Sequence, residues 1–310
     1  MILRNLGKSG LRVSLVGLGC NNFGQRMDLE SSRLVIHKAL DCGITLVDTA
    51  DVYGGRGGSE IVLGQVLGER RKDIVLASKF GMAMDEGEKK GASRRYIMAA
   101  VEASLKRLKT DWIDLYQQHR HDPLTPIDET LRALDDLVRQ GKVRYIGNSN
   151  FTAAQTVEAQ LTAQHFSLNA FTSCQDEYSL LKRDLERENL DVMERYGLGL
   201  LPYFPLASGL LTGKHKRGGD TAGTRLAMST FSGVMNDKNF DIVEKLEAFV
   251  KTRGHTMLEL AFSWLAARPT VSSIIAGATK PEQIESNVKA AEWQLTVDEM
   301  KEIDELTKKD

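Results

Sequence analysis

Cysteine is scarce in this sequence of 310 residues: there are three, Cys20, Cys42 and Cys174. They are odd in number, far apart and form no Cys-x-x-Cys pair, so neither a disulfide framework nor a cysteine zinc site is signalled. Net charge is nearly absent too, because 41 Lys and Arg stand against 42 Asp and Glu, leaving −1. No basic excess points to nucleic acid, and no acidic tail points to a chaperone-like partner. No apolar run reaches membrane-spanning length, and the first residues lack the charged-then-apolar pattern of a secretory signal. These absences lead us to expect a soluble, cytoplasmic chain with no membrane and no nucleic acid among its partners. No internal sequence repeat and no linker divides it, so residues 1–310 are expected to form one domain. No Gly-x-Gly-x-x-Gly follows a strand either: Gly17-Leu18-Gly19 runs into Asn21-Asn22, and glycine spacing alone marks no dinucleotide site.

What is present is organised around one stretch, Ile44-Thr45-Leu46-Val47-Asp48-Thr49-Ala50-Asp51-Val52-Tyr53-Gly54. Apolar and β-branched residues run straight into an acid, the pattern of a buried strand that delivers a carboxylate at its C-terminal end. Gly54 and Gly55 then break the chain and leave Tyr53 on the loop just beyond. A phenol with its usual pKa of about 10 is a weak acid at neutral pH, but a neighbouring cation favours its ionised form. Lys79, at the end of the next strand, is the candidate cation.

The chain is 42 % hydrophobic, enough for a sizeable core, and its pattern alternates. Two short strands around a Gly7–Gly10 turn open it, a hairpin suited to plug or lid a larger body. Strands are then expected over residues 15–19, 44–48, 74–78, 112–116, 143–147, 169–175, 198–204 and 271–276. Helices fall between them: 31–40 stopped by Gly43, about 59–67, one opening at Ser93, and one with Pro126 at its first position. Others start at Thr152, end at Tyr196-Gly197, precede Pro269 and begin at Pro281. The last is capped by Thr296 with Glu299 in capping-box spacing. A long loop covers about residues 207–235. Eight strand-then-helix units predict an α/β fold of the (β/α)8 TIM-barrel type with an N-terminal β-hairpin.

In such a barrel, polar residues at the C-terminal strand ends share one face. That rule collects Asp48, Lys79, His119, Ser149 with Asn150, Gln175 and Tyr203, with Tyr53 over the same face. An acid, a cation, an imidazole and a phenol together suit proton transfer. Singly each has a bland alternative: Asp48 as a helix cap, His119 as a structural histidine, Tyr53 as packing. Placement on successive strand ends is what favours chemistry.

Six segments carry a family resemblance. They are Asp48-Thr-Ala-Asp-Val-Tyr53-Gly, Ala77-Ser-Lys79-Phe-Gly, Asp114-Leu-Tyr-Gln-Gln-His119, Gly147-Asn-Ser149-Asn150-Phe, Tyr203-Phe-Pro205-Leu-Ala-Ser-Gly-Leu-Leu-Thr-Gly213-Lys214 and Gly277-Ala-Thr-Lys280-Pro-Glu-Gln283-Ile-Glu-Ser-Asn287. In this order they resemble the aldo-keto reductase family over essentially the whole chain. The resemblance implies NADPH bound across the strand ends and an aldehyde or ketone interconverted with its alcohol. It implies Tyr53 as general acid, Lys79 and Asp48 as the pair that lowers its pKa, and His119 as the group orienting the carbonyl. Ser149, Asn150 and Gln175 would hold the nicotinamide carboxamide, and Tyr203 would stack on its ring. Gly19 and the Pro205, Leu206, Gly209, Leu211 and Lys214 segment would line the cofactor and cover its pyrophosphate. Gly277, Lys280, Gln283 and Asn287 would surround the adenosine 2′-phosphate and adenine. Asn22, Phe23, Phe80, Arg120 and His121 are the expected substrate contacts, with Arg120 and His121 suited to an oxygen-rich ligand. A monomer or weak homo-oligomer is expected.

The chain departs from the family pattern at Asn21-Asn22-Phe23, where a tryptophan wall is common, at Asn148 and at Phe204. Lys280 is the one obvious cation for a 2′-phosphate, the point on which NADPH over NADH rests. Three rival readings stand beside the reductase. His119-Arg120-His121-Asp122 resembles a zinc pair, yet strands five to seven offer Ser149, Gln175 and Tyr203, and His37, His165, His215 and His255 fall in helices or loops. A Schiff-base aldolase would need a lysine of depressed pKa, which Asp48 opposes. A regulatory or binding protein on the same fold, like the potassium-channel β subunits, would carry the same segments.

Overall fold

The computed structural model describes residues 1–87, 89–219, 226 and 233–308. Its elements run β1 Leu3–Asn5, β2 Arg12–Ser14, β3 Val16–Gly19, α1 Leu29–Asp41, β4 Leu46–Asp48, α2 Tyr53–Val66, β5 Val75–Phe80, α3 Arg94–Leu108, β6 Ile113–Gln118 and α4 Ile127–Arg139. They continue with β7 Val143–Ser149, α5 Ala153–His165, β8 Ser173–Gln175, α6 Asn189–Tyr196, β9 Gly199–Leu200, α7 Asp237–Arg253, α8 Met257–Ala266, β10 Ile274–Gly277, α9 Pro281–Ala290 and α10 Val297–Leu306. Eight parallel strands pair in the order β10-β3-β4-β5-β6-β7-β8-β9. The ends meet: Leu200 N–H donates to Thr270 O (2.8 Å), Ser272 N–H to Leu200 O (2.9 Å) and Ile275 N–H to Pro202 O (2.9 Å). The sheet therefore closes into the expected (β/α)8 barrel, which leaves its strands no open edge.

Two strands are shorter than their sequence pattern. Residues 169–172 precede β8 because Asn169 turns its backbone N–H to Asp135 Oδ1 (2.9 Å) instead of a neighbouring strand. Strand β9 stops at Leu200, just before Pro202, which has no N–H for a ladder. Pro126 is the N-cap of α4 rather than its first helical residue. Thr152, Thr256 and Thr296 each close a capping box, the last with Glu299 as expected. The long loop read over residues 207–235 begins with a short 3-10 segment, Ala207–Thr212, and part of that loop lies outside the described residues.

The barrel wall separates two apolar layers. The larger lies between strands and helices. The inner one contains Leu46, Val75, Ala77, Leu115, Leu201 and Ile275 together with Leu6 and Val13 of the hairpin. Leu6 and Val13 are fully buried there, so β1–β2 plugs the N-terminal end, away from the face where the strands deliver their polar residues. Arg4 clamps the plug to Val271 O (2.7 Å) and Ala266 O (2.5 Å). The Lys8 N–H donates to Gly197 O (2.8 Å).

Gly7 fits this contact because its φ is +56° and an added Cβ would lie 2.3 Å from Gly197 O. Gly7→Ala is expected to destabilise the fold by about 1–3 kcal/mol, the cost of a strained left-handed residue, read from the denaturant midpoint. Because the plug is at the far end, cleft activity of the folded fraction should be retained.

Candidate active site

Side chains alternate across a strand, so every second residue points inward. Stepping two residues up from the inner apolar layer leads from Leu46 to Asp48, from Ala77 to Lys79, from Leu115 to Gln117 and on to His119, and from Leu201 to Tyr203. The apolar plug of the barrel thus gives way, one layer higher, to a polar group. Lys79 is fully buried and Asp48 nearly so. Lys79 Nζ donates to Asp48 Oδ2 (2.7 Å), to Thr49 O (2.9 Å) and to Tyr53 Oη (3.4 Å). Asp48 Oδ1 accepts from Gln175 Nε2 (2.8 Å) and Gln117 Nε2 (3.4 Å). Burial works against the charged form of Lys79, but Asp48 and Tyr53 outweigh it and raise its pKa, so the ammonium persists.

Tyr53 stands at the head of α2, where Gly54 (φ +70°), Gly55 (φ +74°), Arg56 (φ +70°) and Gly57 (φ +115°) interrupt the helix. A Cβ on Gly54 would come within 2.4 Å of Phe23 O, so the tight loop needs glycine to bring the phenol to the ammonium. The sequence led us to expect a lowered phenol pKa; the structure corrects this. Enclosure by protein raises the Tyr53 pKa more than Lys79 lowers it, and Asp48 adds to the rise. At neutral pH Tyr53 is a neutral phenol with an ammonium beside it, a proton donor rather than a standing phenolate.

His119 faces it, with ring centroids 5.7 Å apart and planes at 83°. Desolvation, then the charges of Lys79 and Arg120, pull the imidazole pKa down to about 3. It is therefore uncharged at neutral pH and keeps one donor and one acceptor nitrogen. Its Nδ1 has no partner among the described residues.

These groups open onto a cleft of about 580 Å³ that runs along the strand ends to the start of α9. Gly19, Asn22, Asp48, Tyr53, His119, Arg120, Ser149, Asn150, Gln175, Tyr203, Pro205, Leu206, Gly209, Gly277 and Gln283 all line it. Asn150 links its parts: its Nδ2 donates to His119 O (3.1 Å) and Ser149 Oγ (2.9 Å), and its Oδ1 accepts from Tyr203 Oη (2.7 Å). Farther along, Phe204, Ala207 and Ser208 have φ of 53°, 45° and 58°. Left-handed non-glycine residues concentrate at ligand clamps. The cleft ends where Gln283 Oε1 accepts from Thr279 N (2.7 Å) at the amino end of α9. A polar floor, a flat aromatic, a strained loop and a helix N-terminus follow one another along the cleft, a shape suited to an elongated polar ligand.

Other expected contacts lie outside the cleft lining. Phe23 and Phe80 are fully buried; Phe80 packs on Tyr116 with centroids 4.9 Å apart, so neither ring faces the cleft. Leu211 is also core. His121 turns its edge to Phe151 (5.4 Å). Asn287 is buried within α9, and Lys214 and Lys280 are exposed outside the cleft lining, the latter as N-cap of α9. His119 and His121 therefore diverge, and among the described residues no three His, Cys, Asp or Glu side chains converge as a metal site would. Sequence reasoning missed Gln117, Arg26 and Asp176. Alternation from His119 would have found Gln117. Asp176 Oδ1 accepts the Asn150 N–H (2.9 Å), and burial raises its pKa to about 7; being next to Gln175 was its only signal.

Against known proteins, the model of the Aldo/keto reductase family matches residues 15–308. An uncharacterized oxidoreductase of Bacillus subtilis is 38 % identical over 94 % of this chain and 91 % of its own length. A probable voltage-gated potassium channel subunit beta of rice (Oryza sativa subsp. japonica) is 37 % identical, covering 94 % and 91 %. The L-glyceraldehyde 3-phosphate reductase of Escherichia coli K12 is 34 % identical, covering 94 % and 87 %. Among the described residues no helix is long and apolar enough to cross a membrane.

Lys79→Met is expected to destabilise the protein by about 3–5 kcal/mol, because it strands the buried Asp48 carboxylate. Asp48→Asn in the same chain should recover part of that loss in a chemical denaturation series. Asp176 generates a pH effect of opposite sense to most carboxylates. Its folded pKa near 7 lies above the usual value of 3.8, so its contribution is fully present below about pH 4 and is lost as pH rises to 7. Asp176→Asn should flatten that part of the stability–pH curve while keeping an acceptor for Asn150.

Proposed function

The chain belongs to the aldo/keto reductase family, and on that premise we propose that it is an NADPH-dependent oxidoreductase interconverting a small aldehyde or ketone with the corresponding alcohol. The cofactor, when bound, supplies the hydride; the chain supplies the proton and the geometry. Tyr53 donates its phenolic proton to the carbonyl oxygen. The phenolate left behind is stabilised by Lys79 Nζ, 3.4 Å away, and Asp48 keeps that ammonium in place. In the alcohol-to-carbonyl direction Tyr53 takes the proton back. Neutral His119 donates a hydrogen bond that orients the carbonyl without competing as an acid. Ser149, Asn150, Gln175 and Tyr203 would hold the nicotinamide end, and the segment from Pro205 to Gly209 its phosphates. Lys280, exposed at the amino end of α9, is the cation for a 2′-phosphate and the reason for preferring NADPH.

The observation that carries this reading is the phenol held beside a buried ammonium and facing a neutral imidazole in one cleft. Tyr53→Phe is expected to leave NADPH binding, followed by fluorescence titration, nearly intact. Its kcat should fall by about 10²–10⁴, and normal turnover would refute the role of Tyr53. Lys280→Met should raise the KM for NADPH more than it changes kcat; equal use of NADH by the parent would remove that role. The similarity to proteins named as channel β subunits supports a second reading, a binding protein that retains the site. Tight NADPH binding without turnover of any carbonyl in a broad panel would favour it.

A further inference from the structure

Two guanidinium groups, Arg26 and Arg120, line the cleft from opposite sides of the proton-transfer group, and both are exposed. Among the described residues neither makes an ion pair. The buried and half-buried arginines Arg107, Arg71 and Arg268 are neutralised, by Glu60 (2.7 Å), Asp114 (2.9 Å) and Asp304 (2.8 Å), whereas Arg12, Arg56, Arg95 and Arg195 are, like Arg26 and Arg120, without an ion pair among the described residues; what distinguishes Arg26 and Arg120 is their place in the cleft lining. Among the described residues the cleft lining has one carboxylate, Asp48, and both of its oxygens are engaged by Lys79, Gln175 and Gln117. A chain of net charge −1 thus has a locally cationic mouth. Charge of one sign lining a cleft concentrates ligands of the other sign.

Both cations are positioned relative to the chemistry. Arg26 lies on a turn after β3 that is closed by Arg26 N–H and Met27 N–H donating to Asn22 O (3.1 and 3.0 Å). That turn packs directly on the glycine loop carrying Tyr53: a Cβ on Gly24 would come within 2.5 Å of the Gly58 backbone. Arg120 follows His119 and, after burial and Lys79, its charge helps to lower the His119 pKa; at Tyr203 it opposes the larger effects of burial and of the nearby carboxylates Glu177 and Asp176. In strand order, Arg26 follows β3 and Arg120 follows β6, on either side of β4 and β5, which bring in Asp48, Tyr53 and Lys79. Of the residues assigned to the cofactor, all but Gly19 lie at or beyond the ends of β7 to β10. The two guanidiniums therefore follow strands on either side of the pair that brings in Tyr53 and Lys79.

We propose that the substrate is a short carbonyl compound bearing an oxyanion, carboxylate or phosphate, which Arg26 and Arg120 bind while its carbonyl meets Tyr53 and His119. This rests on the carbonyl-reductase reading and narrows it. A guanidinium offers paired donors that match a carboxylate or phosphate edge, whereas an uncharged aldehyde leaves both cations unused.

The test compares matched substrates by NADPH oxidation: succinic semialdehyde against butanal, and glyceraldehyde 3-phosphate against glyceraldehyde. The charged member of at least one pair should be preferred in kcat/KM by about 10- to 100-fold, the span of charge-assisted hydrogen bonds, mostly through KM. Which pair shows the preference distinguishes carboxylate from phosphate. Raising the ionic strength should shrink the preference. Arg120→Met and Arg26→Met, singly and together, should reduce the charged-to-neutral ratio by about 10-fold or more, with Arg120→Lys losing less. Both sites are exposed, and a circular dichroism melt checks the fold. Neutral aldehydes reduced as well as charged ones would overturn the proposal and leave carbonyl reduction standing. Failure to reduce any of the four, while an uncharged carbonyl of a broad panel is reduced, would overturn the proposal alone; inactivity across that whole panel would remove the parent reading with it. A loss of NADPH affinity in the variants at an unchanged ratio would assign the cations to the cofactor and also overturn it.

Discussion

A lysine ammonium has three N–H bonds, and Lys79 finds an acceptor for each in a region without water access: a carboxylate, a backbone carbonyl and a phenol. Isolated, such a charge would be costly to bury. It is tolerated because Asp48 is itself fully engaged, by Lys79 on one oxygen and two glutamines on the other. Those four side chains come from β4, β5, β6 and β8; the first three strands pair side by side, and Gln175 reaches Asp48 from β8 because the sheet curls into a barrel. The fold is thus the precondition for the charge. The plugged floor of Leu6, Val13 and their inner-layer neighbours excludes solvent from below and leaves the cleft as the way in.

The same enclosure explains why Tyr53 and His119 depart from the behaviour of a solvated phenol and imidazole. Removing water disfavours every ion, so it raises the phenol of Tyr53 and lowers the imidazole of His119. Lys79 opposes the first shift and reinforces the second, because a cation stabilises phenolate and destabilises imidazolium. Both groups end neutral at physiological pH, each with a proton to donate. A phenol already ionised would have none to give. In the proton transfer proposed for Tyr53, the ammonium would matter less for the resting state than for the moment after transfer, when a phenolate would stand next to a charge that needs no reorganisation.

Much of this was legible in the sequence because strand ends are punctuated. Asp48, Lys79, His119 and Gln175 stand at or just past the ends of strand-like runs, and in a parallel barrel that alone puts them on one face. The barrel, the hairpin and the helix caps at Ser93, Thr152 and Thr296 followed from period and capping residues. What sequence could not decide was which way a side chain turns once outside the strand. Phe23 and Phe80 are adjacent to site residues in the chain, yet packing draws both rings into the core. His121 leaves His119 for the Phe151 ring. The sign of the Tyr53 shift was misjudged for a related reason: a neighbouring cation can be inferred from order along the chain, but the depth of enclosure that outweighs it is a tertiary quantity.

The division between strand and loop also bears on where specificity resides. Asp48, Lys79 and Gln175 are buried and mutually bonded, so changing one leaves another's charge or polar atom uncompensated, and such losses are large. Arg26 and Arg120 are exposed and bonded to no carboxylate in the described structure, so replacing either disturbs no core packing. Chemistry common to a family is expected to sit in the first set and ligand choice in the second, because only the second can vary without unfolding the barrel. The two exposed arginines above a charge-satisfied core are then a property of this chain's loops, separable from the buried Lys79–Asp48 pair beneath them.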